Sequence, residues 1–215
     1  MKAKKKLGQH FLKDKNFAHK IVEAFLPDKS NTVLEIGPGT GMLTQFLKEK
    51  GYNFWLIEVD SEAVALLQQK YPELKSQLIH HDFLQLNLPG HFGTNAISII
   101  GNFPYNISSQ IMFRVVENRE QVELVVGMFQ REVARRLTQK PGNKEYGILS
   151  VIVQAFYEVE FLFSVNESVF SPPPKVKSGV IRLKRNQRKQ LDCDEKLFFK
   201  VVKTAFNQRR KTLRN

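Results

Sequence analysis

An open, doubly wound and mostly parallel α/β sheet is the fold this sequence predicts. Three observations carry that expectation. Short apolar strands alternate with helical stretches from residue 32 to residue 140. A glycine-rich turn, Gly37-Pro38-Gly39-Thr40-Gly41, follows the first of those strands. Acidic side chains, Glu58 and Asp82, stand where the next two strands end. The 215 residues, 42% hydrophobic and 25% charged, suit one domain of ordinary size with a buried core.

Each element has its own signal. Asp14–Leu26 places Phe17, Ile21, Val22, Phe25 and Leu26 at helical spacing, and Pro27 ends the helix. Thr32–Ile36 is the first apolar strand, and Gly41–Lys50 reads as the helix after it. Asn53–Glu58 is the second strand and Ser61–Tyr71 the second helix, with Ser61 as the expected N-cap. Gln77–His80 is a weaker third strand. Ala96–Ile100 is the fourth, bounded by Gly101 and followed by a helix over Ser108–Glu117. Val122–Met128 is the fifth strand, and the helix Arg131–Gln139 is stopped by Pro141-Gly142. Tyr146–Ala155 reads as a helix, and the alternation in Glu158–Phe163 and Gly179–Leu183 predicts two further strands. Asp194–Arg214 reads as one helix with Leu197, Val201, Val202 and Phe206 on a face.

Charge is unevenly placed. The net charge is +12, yet residues 1–20 carry 7 Lys and Arg against 1 Asp, and residues 173–215 carry 14 against 3 acids. The body between them holds 12 basic and 17 acidic residues. Basic ends around an acidic body point to a polyanion, nucleic acid above all. The single cysteine, Cys193, excludes an internal disulfide and a cysteine-based zinc cluster. The pair His80-His81 lacks a further ligand at suitable spacing, so no metal is expected. No apolar run reaches the roughly 18–20 residues of a membrane span. The lysine-rich start lacks the apolar stretch of a secretory signal, so a cytoplasmic setting is expected.

In a doubly wound sheet, ligands sit at the carboxyl ends of the strands. Gly37, Gly39 and Gly41 let the backbone turn tightly and approach a ligand. Their spacing departs from the dinucleotide pattern, with Met42 where that pattern wants glycine. Glu58 is placed to accept both hydroxyls of a ribose, and Asp82 to accept a hydrogen bond from an adenine amine. This arrangement resembles the class I S-adenosylmethionine-dependent methyltransferases, with their Rossmann-like sheet.

Asn102-Phe103-Pro104-Tyr105 follows the fourth strand. An adenine amine is a poor nucleophile because its lone pair is spread into the ring. Two carbonyl acceptors, the Asn102 side-chain oxygen and the Phe103 backbone oxygen held rigid by Pro104, can take its hydrogens and aim the lone pair at a methyl group. Tyr105 offers a flat face on which a flipped base can stack.

Seven ordered segments then resemble the bacterial small-subunit ribosomal RNA adenine dimethyltransferases. They are Gly8–Leu12, Glu35–Gly41, Glu58–Asp60, Asp82-Phe83, Gly101–Asn106, Gln130–Arg136 and Phe170–Val176. The resemblance implies dimethylation of two adjacent adenosines in the 3′-terminal hairpin of small-subunit rRNA, on an immature 30S-type particle, with S-adenosylmethionine as cofactor. It places His10, Leu12 and Gly37 at the methionine end of the cofactor, Glu58 at the ribose and Asp82 at the adenine. Asn102 bridges cofactor and target, and Phe170 stacks on the target base opposite Tyr105. His10 stands where the family often has Asn, and Phe103 where it commonly has Leu. Residues 1–190 are expected to form the methyltransferase domain with a basic arm, and 191–215 to begin a truncated or missing helical C-terminal domain. A monomer is expected. Lys4, Lys5, Lys6, Arg131, Arg135, Lys175, Arg209 and Arg210 are expected to meet rRNA phosphate, with Arg136 paired to Glu132 instead. The competing readings are a non-catalytic late assembly factor and a large-subunit rRNA adenine methyltransferase of the macrolide-resistance type. A glutamine-directed protein methyltransferase, with its related Asn-Pro-Pro-Tyr turn, is disfavoured by Phe103 and by the +12 charge.

Overall fold

The computed structural model describes residues 3–27 and 32–207. In chain order its strands and helices begin with β1 (Phe11–Leu12), α1 (Lys15–Glu23), β2 (Thr32–Ile36), α2 (Thr44–Leu47), β3 (Asn53–Glu58), α3 (Ser61–Lys70) and β4 (Leu78–His80). Next come α4 (Leu88–Phe92), β5 (Ile97–Asn102), α5 (Ser108–Glu117), β6 (Val122–Gln130), α6 (Arg131–Thr138) and α7 (Ile148–Gln154). The chain closes on β7 (Tyr157–Val165), β8 (Phe170–Ser171), β9 (Ser178–Arg185) and α8 (Glu195–Asn207).

Seven strands form one sheet in the order β4-β3-β2-β5-β6-β9-β7. The first five are parallel, and β9 lies antiparallel to both β6 and β7. The chain winds outward from β2 to β4, then returns to β5 on the other side of β2. That reversal opens a crevice at the carboxyl ends of β2 and β5. Alternation along the strands divides the apolar side chains between two faces. Leu34, Ile57, Ile97 and Ile99 pack with the helices α4 to α8. Val33, Leu56, Ile100 and Met128 pack with α1 to α3. Burial of both faces is why these strands read as continuous apolar runs. A separate two-stranded ladder pairs β1 with β8, Phe11 opposite Ser171 and Leu12 opposite Phe170.

Several expectations change in detail. The helix expected from Gly41 begins only at Thr44, because Gly37, Gly39 and Gly41 all hold positive φ, which a right-handed helix cannot contain. Asp60, not Ser61, caps α3, its carboxylate accepting from Glu62 N at 3.0 Å. Gly147 is extended, so α7 starts two residues after the expected Tyr146. The short helix α4, capped by Asn87, has no counterpart in the sequence pattern. The C-terminal helix packs on the main core through Phe198, Phe199, Val202 and Phe206, and its expected continuation to Arg214 lies outside the described residues. Among the described residues, no helix is long and apolar enough to cross a membrane.

Candidate active site

A cavity opens at the carboxyl ends of β2, β3 and β5, and its lining includes His10, Gly37, Gly39, Glu58, Asp82, Asn102, Phe103, Pro104 and Tyr105. The glycine turn sits on β3, with Gly37 N donating to Ile57 O at 2.9 Å. A Cβ at Gly37 would lie in open space 3.9 Å from Pro104, and one at Gly39 would press on the Phe11 ring at 3.0 Å. Gly37 therefore keeps the cradle clear, and Gly39 leaves room for the Phe11 ring.

Glu58, only 5% exposed, is held by three backbone donors. Its Oε2 accepts from Gly39 N at 3.1 Å, and its Oε1 from Val59 N and Asp60 N at 2.9 Å each. Burial pushes its pKa up, and those donors pull against the rise. Oε1 is saturated by its two donors, whereas Oε2 keeps lone-pair capacity for a further one. Asp82 is anchored through Oδ1, which accepts from Leu84 N at 2.9 Å. A second hollow, beneath the same turn, is lined by Leu12, Glu35, Gly37, Met42 and Asn102. Burial pushes the Glu35 carboxyl up to about 8, opposed by a 2.7 Å bond from Thr44 Oγ1. The sequence motifs assign no role to Glu35 or Val59. Val59 is 49% exposed at the cavity wall. The available signals were a carboxyl inside a wholly buried strand and an apolar side chain directly after a strand-end acid.

The Asn102–Tyr105 turn is built on two supports. Asn102 ends β5, and its Nδ2 donates to His10 O at 2.8 Å, leaving Oδ1 as a free acceptor. The Phe103 ring is 1% exposed and meets Phe129 edge to face at 5.1 Å. It fills the space over Gly101 and Gly127, where an added Cβ would lie 2.7 Å and 2.2 Å from the ring. Phe103 N donates to Met128 O, so ring and backbone together fix the carbonyl that follows. Tyr105 shares a hydrogen bond with Ser178 Oγ, and its ring stacks with His10 at 5.4 Å. Burial raises the Tyr105 pKa, so the phenol stays neutral.

The N-terminal arm forms one wall of the cavity. Lys6, Gly8, Gln9 and His10 line it, and Leu12 lies buried behind. Two expectations are corrected here. Phe170 is 1% exposed in the core cluster that holds Leu12, Met128 and Val180, because its pairing with Leu12 turns the ring inward. It presents no face to a base. Lys4 is ion-paired with Asp60 at 2.6 Å and Glu62 at 2.9 Å, so it is not an open phosphate ligand. Lys5 and Lys6 remain exposed near the mouth. Arg131 N donates to Lys177 O, which brings the start of α6 beside the Lys175–Lys177 loop and the Tyr105–Ser178 contact. Lys175 and Arg135 are exposed, and Arg136 pairs with Glu132 at 2.8 Å as expected. Arg209 and Arg210 lie outside the described residues.

Comparison with known proteins places this geometry. The family model described as ribosomal RNA adenine dimethylase matches residues 1–215. The chain is 56% identical to the ribosomal RNA small subunit methyltransferase A of Parabacteroides distasonis, covering 100% of this chain and 80% of that protein. To the protein of the same name from Cytophaga hutchinsonii it is 57% identical, covering 100% and 84%. Its fold is similar to a crystal structure of a dimethyladenosine transferase from Plasmodium falciparum, with a TM-score of 0.79, 30% identity and coverage of 95% and 73%. It is also similar to the 23S rRNA methyltransferase ErmE, with a TM-score of 0.75, 28% identity and coverage of 92% and 79%.

Proposed function

Because the chain belongs to the ribosomal RNA adenine dimethylase family, we propose that the cavity between the glycine turn and Asn102 is where S-adenosylmethionine meets a flipped adenine. The protein is an S-adenosylmethionine-dependent rRNA adenine dimethyltransferase on a class I methyltransferase fold. When bound, that cofactor supplies a methyl group made electrophilic by its sulfonium. The residues present fit it: a glycine cradle that a Cβ would fill, a buried carboxyl at the ribose position and an anchored carboxyl at the adenine position.

One observation carries the catalytic reading. The Asn102 amide nitrogen is committed to His10 O, so its oxygen faces the work as an acceptor. The Phe103 carbonyl, immobilised by its buried ring, is the second acceptor. Together they accept hydrogen bonds from the two N–H groups of the adenine amine and direct its lone pair at the methyl group; the amine proton displaced by methylation passes to solvent. No strong base is required, because the gain comes from orientation and a preset field. The base stacks on Tyr105, and phosphates meet Lys5, Lys6, Arg131, Arg135 and Lys175, which position without reading sequence.

The substrate we infer is a pair of adjacent adenosines in the 3′-terminal hairpin of small-subunit rRNA, presented on an immature 30S-type particle to a monomeric enzyme. Small-subunit methyltransferases at 53–57% identity support that target over the large subunit. Labelled methyl transfer to immature small subunits tests it, with primer extension on both rRNAs locating the product. Asn102→Ala is expected to cut the transfer rate by about 10²-fold or more. Transfer unchanged in Asn102→Ala, or label found only on large-subunit rRNA, overturns the reading.

A further inference from the structure

We propose that Asp60 is a positioning residue for the cofactor: it latches the N-terminal arm over the cavity and thereby sets how tightly S-adenosylmethionine is held. This rests on the reading of that cavity given above. Asp60 does not itself line the cavity; its side chain is fully buried beside it. Of its side-chain bonds among the described residues, one serves α3, the one from Glu62 N. Two others reach back to the arm: Lys4 Nζ donates to Oδ1 at 2.6 Å, and Gln9 Nε2 to Oδ2 at 2.9 Å. Lys4 N also donates to Gln9 Oε1 at 2.8 Å, which closes the three residues into a ring. The Lys4 ammonium is held again by Glu62 at 2.9 Å.

A helix cap alone does not call for a buried charge, since Asn or Ser caps as well as Asp. A buried carboxylate is costly unless it is paired. The charge at Asp60 is therefore explained by the arm and not by the helix. The latch also sits between two working groups. On one side, Asp60 N donates to Glu58 Oε1, the carboxyl assigned to the ribose. On the other, Gln9 is followed by His10, whose carbonyl holds the Asn102 amide. Gly8, in the left-handed region at φ 62°, packs so close to Asn106 that a Cβ would fall 2.4 Å from its Oδ1. Releasing Lys4 and Gln9 would loosen the cavity wall along residues 4–10 and the orientation of Asn102 with it.

The test uses the full chain, titrated with S-adenosylmethionine by calorimetry and assayed for methyl transfer. Asp60→Asn keeps the cap and removes the charge; Lys4→Met breaks the same pair from the partly exposed side, leaves the α3 cap in place and gives up only the further pair with exposed Glu62. Each is expected to weaken cofactor binding about tenfold, a coupling of ordinary size. The double variant is expected to lose clearly less than the sum of the two single losses, because the Lys4–Asp60 pair is common to both. Lys4→Arg, which keeps the charge, restores most of the affinity. The KM for the cofactor rises more than kcat falls. Wild-type affinity in Lys4→Met overturns the inference even if Asp60→Asn fails to fold, and so do strictly additive losses in the double variant. If the wild-type chain itself binds no S-adenosylmethionine, the reading of the cavity fails first.

Discussion

A phenylalanine sealed in a core cannot stack on an incoming base without leaving it. Phe170→Ala is accordingly expected to cost about 3–5 kcal/mol of stability, read from the urea midpoint. Phe170→Leu, which keeps most of the apolar volume, should retain methyl transfer. Lost transfer at an unchanged midpoint in Phe170→Leu would return the ring to the base. Glu35 makes a different kind of prediction. Its folded pKa, near 8, lies above the ordinary 4.5, so the folded state takes up a proton that the unfolded state does not hold at neutral pH. Its contribution to stability is complete below pH 4.5 and is lost as the pH rises towards 8. The raised pKa of Glu58 acts in the same direction. Urea midpoints of the unliganded protein should therefore fall between pH 5 and pH 8, and Glu35→Gln should flatten much of that fall. An equally steep profile in Glu35→Gln would contradict the burial argument.

At the scale of elements, the Asn102–Tyr105 turn depends on two strands that have given up side chains. β5 and β6 present Gly101 and Gly127 to the Phe103 ring, and Gly127→Ala would drive a methyl group into it at 2.2 Å. Overpacking of this sort costs about 1–3 kcal/mol. Methyl transfer should fall further than stability alone explains, since the displaced ring carries the Phe103 carbonyl with it. Rates and thermal midpoints of Gly127→Ala measured side by side check this. These glycines could not be read from the sequence, because their need arises from a ring that reaches them only in the folded sheet. The strands themselves were legible as apolar runs, as were the acids at their ends. α2 was misplaced because the positive φ of Gly41 is a demand of the turn and not of composition. α4 escaped notice because five residues that include Pro89 and Gly90 show no periodicity. The placement of Lys4 was equally hidden, since its partner lies 56 residues away in the chain.

Across the whole molecule, the acidic body and basic ends acquire a geometry. The acids include Glu35, Glu58 and Asp60, buried around the cavity, whereas Lys5, Lys6, Arg135 and Lys175 stay exposed. Binding to rRNA should weaken linearly in log–log plots against salt. Arg135→Ala and Lys175→Ala should each lower the slope by about 0.7–0.9 if they meet phosphate. A slope unmoved by either change would place the RNA elsewhere. The small ladder between β1 and β8 has a consequence in time. The arm that walls the cavity precedes its partner strand, at Phe170 and Ser171, by most of the domain. A nascent chain cannot close that ladder, nor seat Ser178 against Tyr105, until nearly the whole domain has been translated. An enzyme that modifies ribosomes thus gains its own cavity wall only after the strand that holds it has been made.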